Sequence, residues 1–284
     1  MKILVTGATG FIGEYVINKL LQEDIQVIAT SSSIEKAIHK SWFNKVKYKE
    51  YKLEKNNITN LYNYFDRPDK MIHLAWQGLP NYTELFHFES NLLEQYFFLK
   101  NLIVNGLEDV LVSGTCFEYG MKEGCMTESM ESSPDNSYAI AKNSLRIFLN
   151  ELSKKYDFKL KWVRLFYMYG KGQPQTSLIP QLEKAIKNGE NFFNMSEGDQ
   201  LRDYMNVIEV ADNLIKISLQ QKYHGVINCC SGSPITIKNL VENYIKSVGS
   251  KIELNLGFYN YSKLEPFAFW GDPTLVNRIK GVEI

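Results

Sequence analysis

Cysteine is scarce in this chain, with only Cys116, Cys125, Cys229 and Cys230 among 284 residues. None of them forms a C-x-x-C pair and no Cys/His group has zinc-ligand spacing, so no metal and no disulfide scaffold is expected, and buried thiols in a reducing cytoplasm fit instead. Net charge is missing as well. Lys+Arg and Asp+Glu are both 32, a balance that offers nothing to a polyanion and argues against nucleic acid or an anionic membrane as partner. Long apolar runs are absent too, which excludes a bilayer-spanning segment. The opening apolar residues are followed by glycines and lack a cleavage site, so they do not read as a signal peptide. The length suffices for one large or two moderate domains with a substantial core. Aromatics are plentiful, 17 Tyr and 16 Phe, enough to fill a core and to line a pocket for a flat or sugar-like ligand.

The stretch Lys2 to Gly13, KILVTGATGFIG, organises the rest. Ile3 to Val5 suit a buried parallel strand, Thr6 to Gly10 form a glycine-broken turn, and Phe11, Ile12, Tyr15, Val16, Leu20 and Leu21 recur at helical spacing. Strand, glycine turn and helix in that order make G-x-x-G-x-x-G a dinucleotide-binding pattern. One glycine allows the turn, one lets backbone approach a pyrophosphate, and one lets the helix pack close on the strand. Unpaired N–H groups at the helix start then face the phosphates. The cofactor candidates here are Gly7, Thr9, Gly10, Phe11, Ile12 and Gly13.

Gln26 to Ala29 reads as a second strand, followed by Thr30, Ser31, Ser32 and Ser33 in place of the carboxylate that holds a ribose 2′-OH in NAD-preferring folds. Three hydroxyls with Lys36, His39 and Lys40 close behind favour NADP(H), with NAD(H) the alternative; a serine cluster capping a helix is the plain structural reading. Lys45 to Leu53 reads as the third strand, Thr59 to Phe65 as a helix, and Lys70 to Ala75 as the fourth strand, with His73 a core histidine and Leu74 and Ala75 at its cofactor-facing end. A long helix over 84–105 and a fifth strand over 109–112 complete a βαβαβ rhythm. The fold class expected is α/β, a Rossmann-type doubly wound parallel sheet with a smaller C-terminal α/β substrate-binding part. The division predicted is 1–165 for the dinucleotide-binding domain, rejoined by part of 206–235, and 166–284 for the substrate side.

Past the fifth strand come Ser113-Gly-Thr-Cys-Phe-Glu-Tyr-Gly120 and then a helix opening on Ser137-Tyr138-Ala-Ile-Ala-Lys142. Tyr138 and Lys142 are four apart and share a helix face. A tyrosine keeps its proton to about pH 10; an ammonium beside it lowers that value and yields an acid/base group usable near neutrality. Thr115 can orient the reacting oxygen with its hydroxyl.

These segments resemble the extended short-chain dehydrogenase/reductases, and within them the nucleotide-sugar epimerases, dehydratases and 4-ketoreductases. Val163 to Gly170, Gln200 to Tyr204, Val207 to Ala211, Val226 to Gly232 and Phe269 to Pro273 extend the resemblance over essentially the whole chain. It implies Thr115, Tyr138 and Lys142 as the catalytic triad, Tyr138 exchanging the proton while Lys142 also holds the nicotinamide ribose. It implies hydride transfer at the sugar C4, and Arg202 pairing with the diphosphate. Cys116, Phe117 and Tyr167 would join Thr115, Tyr138 and Arg202 around the substrate. Departures narrow this. The dehydratases carry Asp-Glu after the threonine, where this chain has Cys116 and Phe117; the GDP-fucose synthase cysteine is out of register; the usual asparagine of the R-x-x-N-x-Y-G segment is Tyr167. A 4-ketoreductase using NADPH is favoured, on dTDP-4-keto-6-deoxyglucose in O-antigen (lipopolysaccharide) pathways by resemblance; a 4-epimerase with tightly held NAD and a non-catalytic NADP-binding regulator are the alternatives. The helices at 84–105 and 138–156 resemble the pair through which the family forms homodimers by a four-helix bundle.

Overall fold

The structure is a computed structural model that describes residues 1–53, 59–261 and 265–281. Its main sheet is built from β1 (Lys2–Thr6), β2 (Gln26–Ser31), β3 (Lys47–Glu50), β4 (Lys70–His73) and β5 (Asp109–Thr115), then, past β6 (Gly124–Met126), from β7 (Lys159–Leu165). Four short strands follow, β8 (Tyr167–Tyr169), β9 (Phe192–Asn194), β10 (Leu201–Arg202) and β11 (Tyr204–Asn206), and β12 (Gly225–Cys229) returns to the main sheet as its seventh strand. The order is β12-β7-β5-β4-β1-β2-β3, parallel throughout. The chain winds outward from β1 to β3 and then restarts at β4 on the other side of β1. That switch opens a crevice at the carboxyl ends of β1 and β4.

Side chains alternate across each strand. Ile3 and Val5 face one layer and Leu4 the other. The first layer is α1 (Phe11–Leu20) with two later helices, α7 (Val207–Leu219) and α9 (Thr274–Lys280), contributing Val16, Ile17, Leu20, Leu214, Ile217 and Ile279. The second holds α3 (Leu61–Tyr64), α4 (Leu92–Val104) and α5 (Ser137–Ser153), contributing Leu99, Leu102, Leu145 and Leu149. Both faces are therefore covered, as a parallel sheet requires.

A second, smaller region carries α6 (Leu178–Lys187) and α8 (Ile237–Ser247) packed through Leu182 and Val241. A small sheet there runs β13-β10-β15-β6, where β13 is Ile235–Thr236 and β15 is Ala268–Gly271, while β14 (Glu253–Asn255) pairs with β9. Chain order and space cross at this point: β6 lies in the small sheet, while α7 and β12 lie with the large one. The helix expected over 84–105 starts later, as a π-helical turn His87–Asn91 leading into α4. The stretch before it is turn-like, with the His87 amide bonded to the Glu84 carbonyl (3.4 Å), while the carbonyls of Tyr82 and Thr83 accept bonds from the Tyr138 amide (2.9 Å) and the Ser137 hydroxyl (2.9 Å) at the start of α5. No helix among the described residues is long and apolar enough to cross a membrane.

His73 is the buried, satisfied histidine the sequence suggests. The Thr6 hydroxyl meets its Nδ1 at 2.9 Å and Gln95 Oε1 meets its Nε2 at 2.6 Å. Thr6 Oγ1 also accepts the amides of Leu74 (3.2 Å) and Ala75 (3.3 Å), so it donates to a neutral ring. Burial, with the nearby charge of Lys142, lowers the His73 pKa to about 3. The unfolded chain takes up this proton near pH 6.5 and the folded chain does not, so stability is flat above that pH and falls on acidification down to about 3. The loss expected from this group alone is on the order of 5 kcal/mol. Urea unfolding of wild type and His73→Gln across this range checks it: the variant should lose much less stability on acidification.

Candidate active site

The crevice is a cleft of about 210 Å³. Of the cofactor candidates, Gly7, Thr9, Gly10, Ser31, Ser32, Leu74 and Ala75 line it. Gly7 has φ +66°, and a Cβ there would come within 2.9 Å of the backbone of Leu74 and Ala75. Only glycine allows β1 to turn away this close to the end of β4. A Cβ on Gly13 would sit 2.3 Å from the Gly7 carbonyl, so α1 packs tightly behind the turn. Thr30, also lining the cleft, has a buried hydroxyl with no hydrogen-bond partner among the described residues. A backbone-walled cleft opening on a helix start, with an orphaned hydroxyl in its wall, fits a dinucleotide.

Phe11, Ile12 and Ser33 do not line this cleft. Phe11 lies against Gly172 of the 170–174 loop, and Tyr15 donates to the Lys171 carbonyl at 2.8 Å. Ile12 packs against the core. Ser33 caps α2 (Ile34–Ala37), accepting the Lys36 amide at 3.2 Å and donating to Glu35 at 2.6 Å. The capping reading of this serine is therefore the one observed.

Trp76 joins the cleft to the predicted proton-transfer group. It lines the cleft, its ring lies 5.9 Å from that of Tyr138, and the Lys142 ammonium sits 4.2 Å over its face. Its indole N–H donates to His87 Nδ1 at 3.0 Å, and His87 Nε2 donates to the Asn81 carbonyl at 2.8 Å, which fixes the orientation of both rings. Lys142 is buried and donates to the Ser113 carbonyl at 2.8 Å; Ser113 in turn donates to the His73 carbonyl at 3.1 Å. Burial lowers the Lys142 pKa to about 7, against the opposing pull of Glu118. Tyr138 is buried as well, and Thr115 is among the groups that influence its phenol. Burial first, then Tyr82 and Glu118, push its pKa up. The Lys142 ammonium is engaged with the Ser113 carbonyl and the Trp76 face.

From Tyr138 a line of rings leads toward β8 and β10. Tyr82 lies 5.6 Å from Tyr138 and 5.2 Å from Phe117, Phe117 lies 6.1 Å from Tyr167, and the Arg202 guanidinium lies 5.5 Å from the Tyr167 ring. Thr115, Cys116, Phe117, Tyr138, Tyr167 and Arg202 thus form one neighbourhood. Burial pushes the Cys116 thiol up, so it is a wall residue and not a base. Three contributors were not singled out from sequence. Tyr82 enters from a loop with no local signal. Trp76 follows the fourth strand, at the sheet end where ligands bind. Glu118 is inside the T-C-F-E-Y-G segment: buried, it accepts the Thr115 amide (2.9 Å), the Trp162 indole (2.9 Å) and Arg164 Nε (2.9 Å). A Cβ on Gly114 would strike that carboxylate at 2.6 Å, so the glycine makes room for it. No group of residues able to hold a metal ion occurs among the described residues.

The profile of the NAD dependent epimerase/dehydratase family matches residues 3–230. The dTDP-6-deoxy-L-talose 4-dehydrogenase (NAD(+)) of Aggregatibacter actinomycetemcomitans is 28% identical over 95% of this chain and 99% of its own length. The dTDP-4-dehydro-6-deoxyglucose reductase of Escherichia coli is 25% identical over 84% of this chain and 79% of its own. Among solved structures, the UDP-N-acetylglucosamine 4-epimerase of Methanobrevibacter ruminantium superposes over 100% of this chain and 93% of its own, with TM-score 0.86 at 23% identity, a likeness of fold.

Proposed function

This chain belongs to the NAD dependent epimerase/dehydratase family, and from that premise we propose that it is a nicotinamide-dependent oxidoreductase acting at C4 of a nucleotide-linked 6-deoxyhexose, reducing the 4-ketone. A dTDP-4-keto-6-deoxyhexose is the first substrate to try, since two relatives are named for dTDP sugars. The observation that carries the reading is the buried Tyr138 ring, 5.9 Å from the ring of Trp76, which walls the cofactor cleft. When bound, the nicotinamide supplies the hydride. The chain's residues do the rest. Thr115 and Tyr138 hold the C4 oxygen, Tyr138 gives it a proton, and Lys142, in its protonated form, supplies positive charge next to the site as that proton leaves. Cys116 and Phe117 cannot run the acid and base steps of an elimination. The test is incubation with reduced nicotinamide and a panel of 4-keto-6-deoxy sugar nucleotides. Stoichiometric loss of nicotinamide absorbance with a 4-hydroxy product is expected; interconversion of 4-epimers with no net redox change would contradict it.

The cofactor form supported best is NAD(H), against the NADP(H) expectation. In the β2–β3 register Glu50 stands opposite Ser31, and its carboxylate accepts the Ile34 amide at 2.8 Å. Glu35 is bound to Ser33, which with Lys52 nearby holds it ionised. Ser31 is engaged with the Tyr48 hydroxyl at 2.9 Å, and Lys40 with Glu14 at 2.6 Å. Two carboxylates at the end of β2 repel a 2′-phosphate. In fluorescence titrations NADH should bind more tightly than NADPH by about tenfold or more, and Glu50→Gln, which keeps an acceptor for Ile34, should narrow the gap.

The assembly proposed is a homodimer. Leu93, Phe97 and Val104 on α4 and Ile140, Ile147 and Phe148 on α5 are exposed apolar residues at helical spacing, and the two helices touch through Tyr96 and Phe148 at 5.6 Å. Leu145, Leu149 and Leu152 face the chain's own sheet. Such a paired stripe suits a four-helix bundle. Sedimentation should give a dimer for wild type at micromolar concentration and a monomer for Phe97→Glu.

A further inference from the structure

Arg202 is buried, 2% exposed, and each of its three side-chain nitrogens already donates within the chain. Nη1 donates to the Leu201 carbonyl at 2.9 Å and the Phe267 carbonyl at 3.1 Å. Nε and Nη2 both donate to Glu265 Oε2, at 3.2 and 3.0 Å. The Tyr167 hydroxyl donates to that same oxygen at 3.1 Å. One carboxylate oxygen thus gathers a guanidinium edge and a phenol, a donor set that suits a phosphate oxygen equally well.

The two partners of this ion pair are not equally held. The arginine is pinned by two backbone carbonyls and covered by the Tyr167 ring. The Glu265 side chain is one-third exposed, at 33% against 2% for Arg202. The carboxylate is the member free to leave toward solvent. It also faces the substrate-side rings: after burial itself, its charge is the next influence pushing the phenols of Tyr82 and Tyr204 up.

We propose that Glu265 is a built-in occupant of the phosphate seat, neutralising Arg202 while the site is free and displaced when a nucleoside diphosphate binds. The proposal rests on the nucleotide-sugar reading above. A buried guanidinium left without a counterion is costly, so the seat needs an anion at all times. A carboxylate and a diphosphate cannot share it, because each repels the other at contact distance. Ligand affinity is therefore lowered by competition with the chain's own side chain, and the Tyr167 hydroxyl passes from one anion to the other.

The test is calorimetric titration of the intact chain with dTDP, UDP, CDP and GDP, without sugar or cofactor. Wild type, Glu265→Gln and Glu265→Ala are compared, with thermal unfolding to verify that each is folded. Glu265→Gln keeps an oxygen acceptor for Arg202 and Tyr167 and removes only the charge. The expected result is that at least one diphosphate binds, and that Glu265→Gln binds it more tightly by about tenfold, with Arg202→Gln weakening it. Equal or weaker binding by folded Glu265→Gln overturns the proposal and makes Glu265 part of the ligand's own binding surface. If none of the four binds wild type or either variant, the nucleotide-sugar reading falls, and this proposal with it.

Discussion

Tyr138→Phe should lower kcat by about a hundred- to ten-thousand-fold while KM moves little, the loss expected when a positioned proton donor is removed. The substitution is close to shape-neutral here. Tyr138 is held by its amide bond to the Tyr82 carbonyl (2.9 Å) and by ring contacts with Trp76, Tyr82 and His87 at 5.9, 5.6 and 5.4 Å. A phenylalanine keeps all of these. Only the hydroxyl is lost, and with it the proposed proton for the C4 oxygen. Fold stability and nicotinamide binding should survive, so a direct binding titration separates loss of chemistry from loss of the site. A variant that retains more than about a tenth of wild-type kcat would move the proton-donor role elsewhere.

Glu118→Ala should be the most destabilising single change near the site. Glu118 is fully buried, closes a capping box with Thr115 and pairs with Arg164, which is itself 1% exposed. Arg164 Nη1 already has no hydrogen-bond partner among the described residues, and the group leans on the Tyr119 ring at 4.2 Å and on Ser132 through Nη2. Removing the carboxylate strands this guanidinium, together with the Trp162 indole and the Thr115 amide. Breaking a buried pair in this way costs about 3–5 kcal/mol, which lowers Tm by roughly 10 °C in a chain of this size. Glu118→Gln retains an acceptor for Thr115 and Trp162 and should fall between. Thermal unfolding without ligand reads both; a shift below about 2 °C for the alanine variant would mean that the pair is not a structural anchor.

The two predictions differ in how far each residue could be read beforehand. Tyr138 and Lys142 are legible because their relation is local: four residues on one helix fix their shared face, and the opening glycines fix what that face must meet. The main sheet is legible for the same reason, since each strand–helix unit carries its own pattern. Glu118 is visible in the sequence but its task is not. Its partners Trp162 and Arg164 come from a strand more than forty residues on, and only the sheet register brings them together. Glu265 meets Arg202 across 63 positions, again without a local signal. Electrostatics were harder still. An i,i+4 spacing says that Lys142 can reach Tyr138, but the ammonium's choice of the Ser113 carbonyl and the Trp76 face depends on β5 and on a tryptophan from another strand's loop. No acid stands at the end of β2 in the sequence; the Glu50 carboxylate beside Ser31 arrives from β3, which local reading of β2 does not show.

The reductive reading, with Tyr138 as proton donor, is tested most directly by following the label from nicotinamide deuterated at its transferable position into a 4-keto-6-deoxy sugar nucleotide, with the product examined by NMR. One deuterium at C4 per nicotinamide consumed, formed by wild type and not at a comparable rate by Tyr138→Phe, is the predicted result. Product free of label at C4, or label transfer undiminished in the phenylalanine variant, would contradict it.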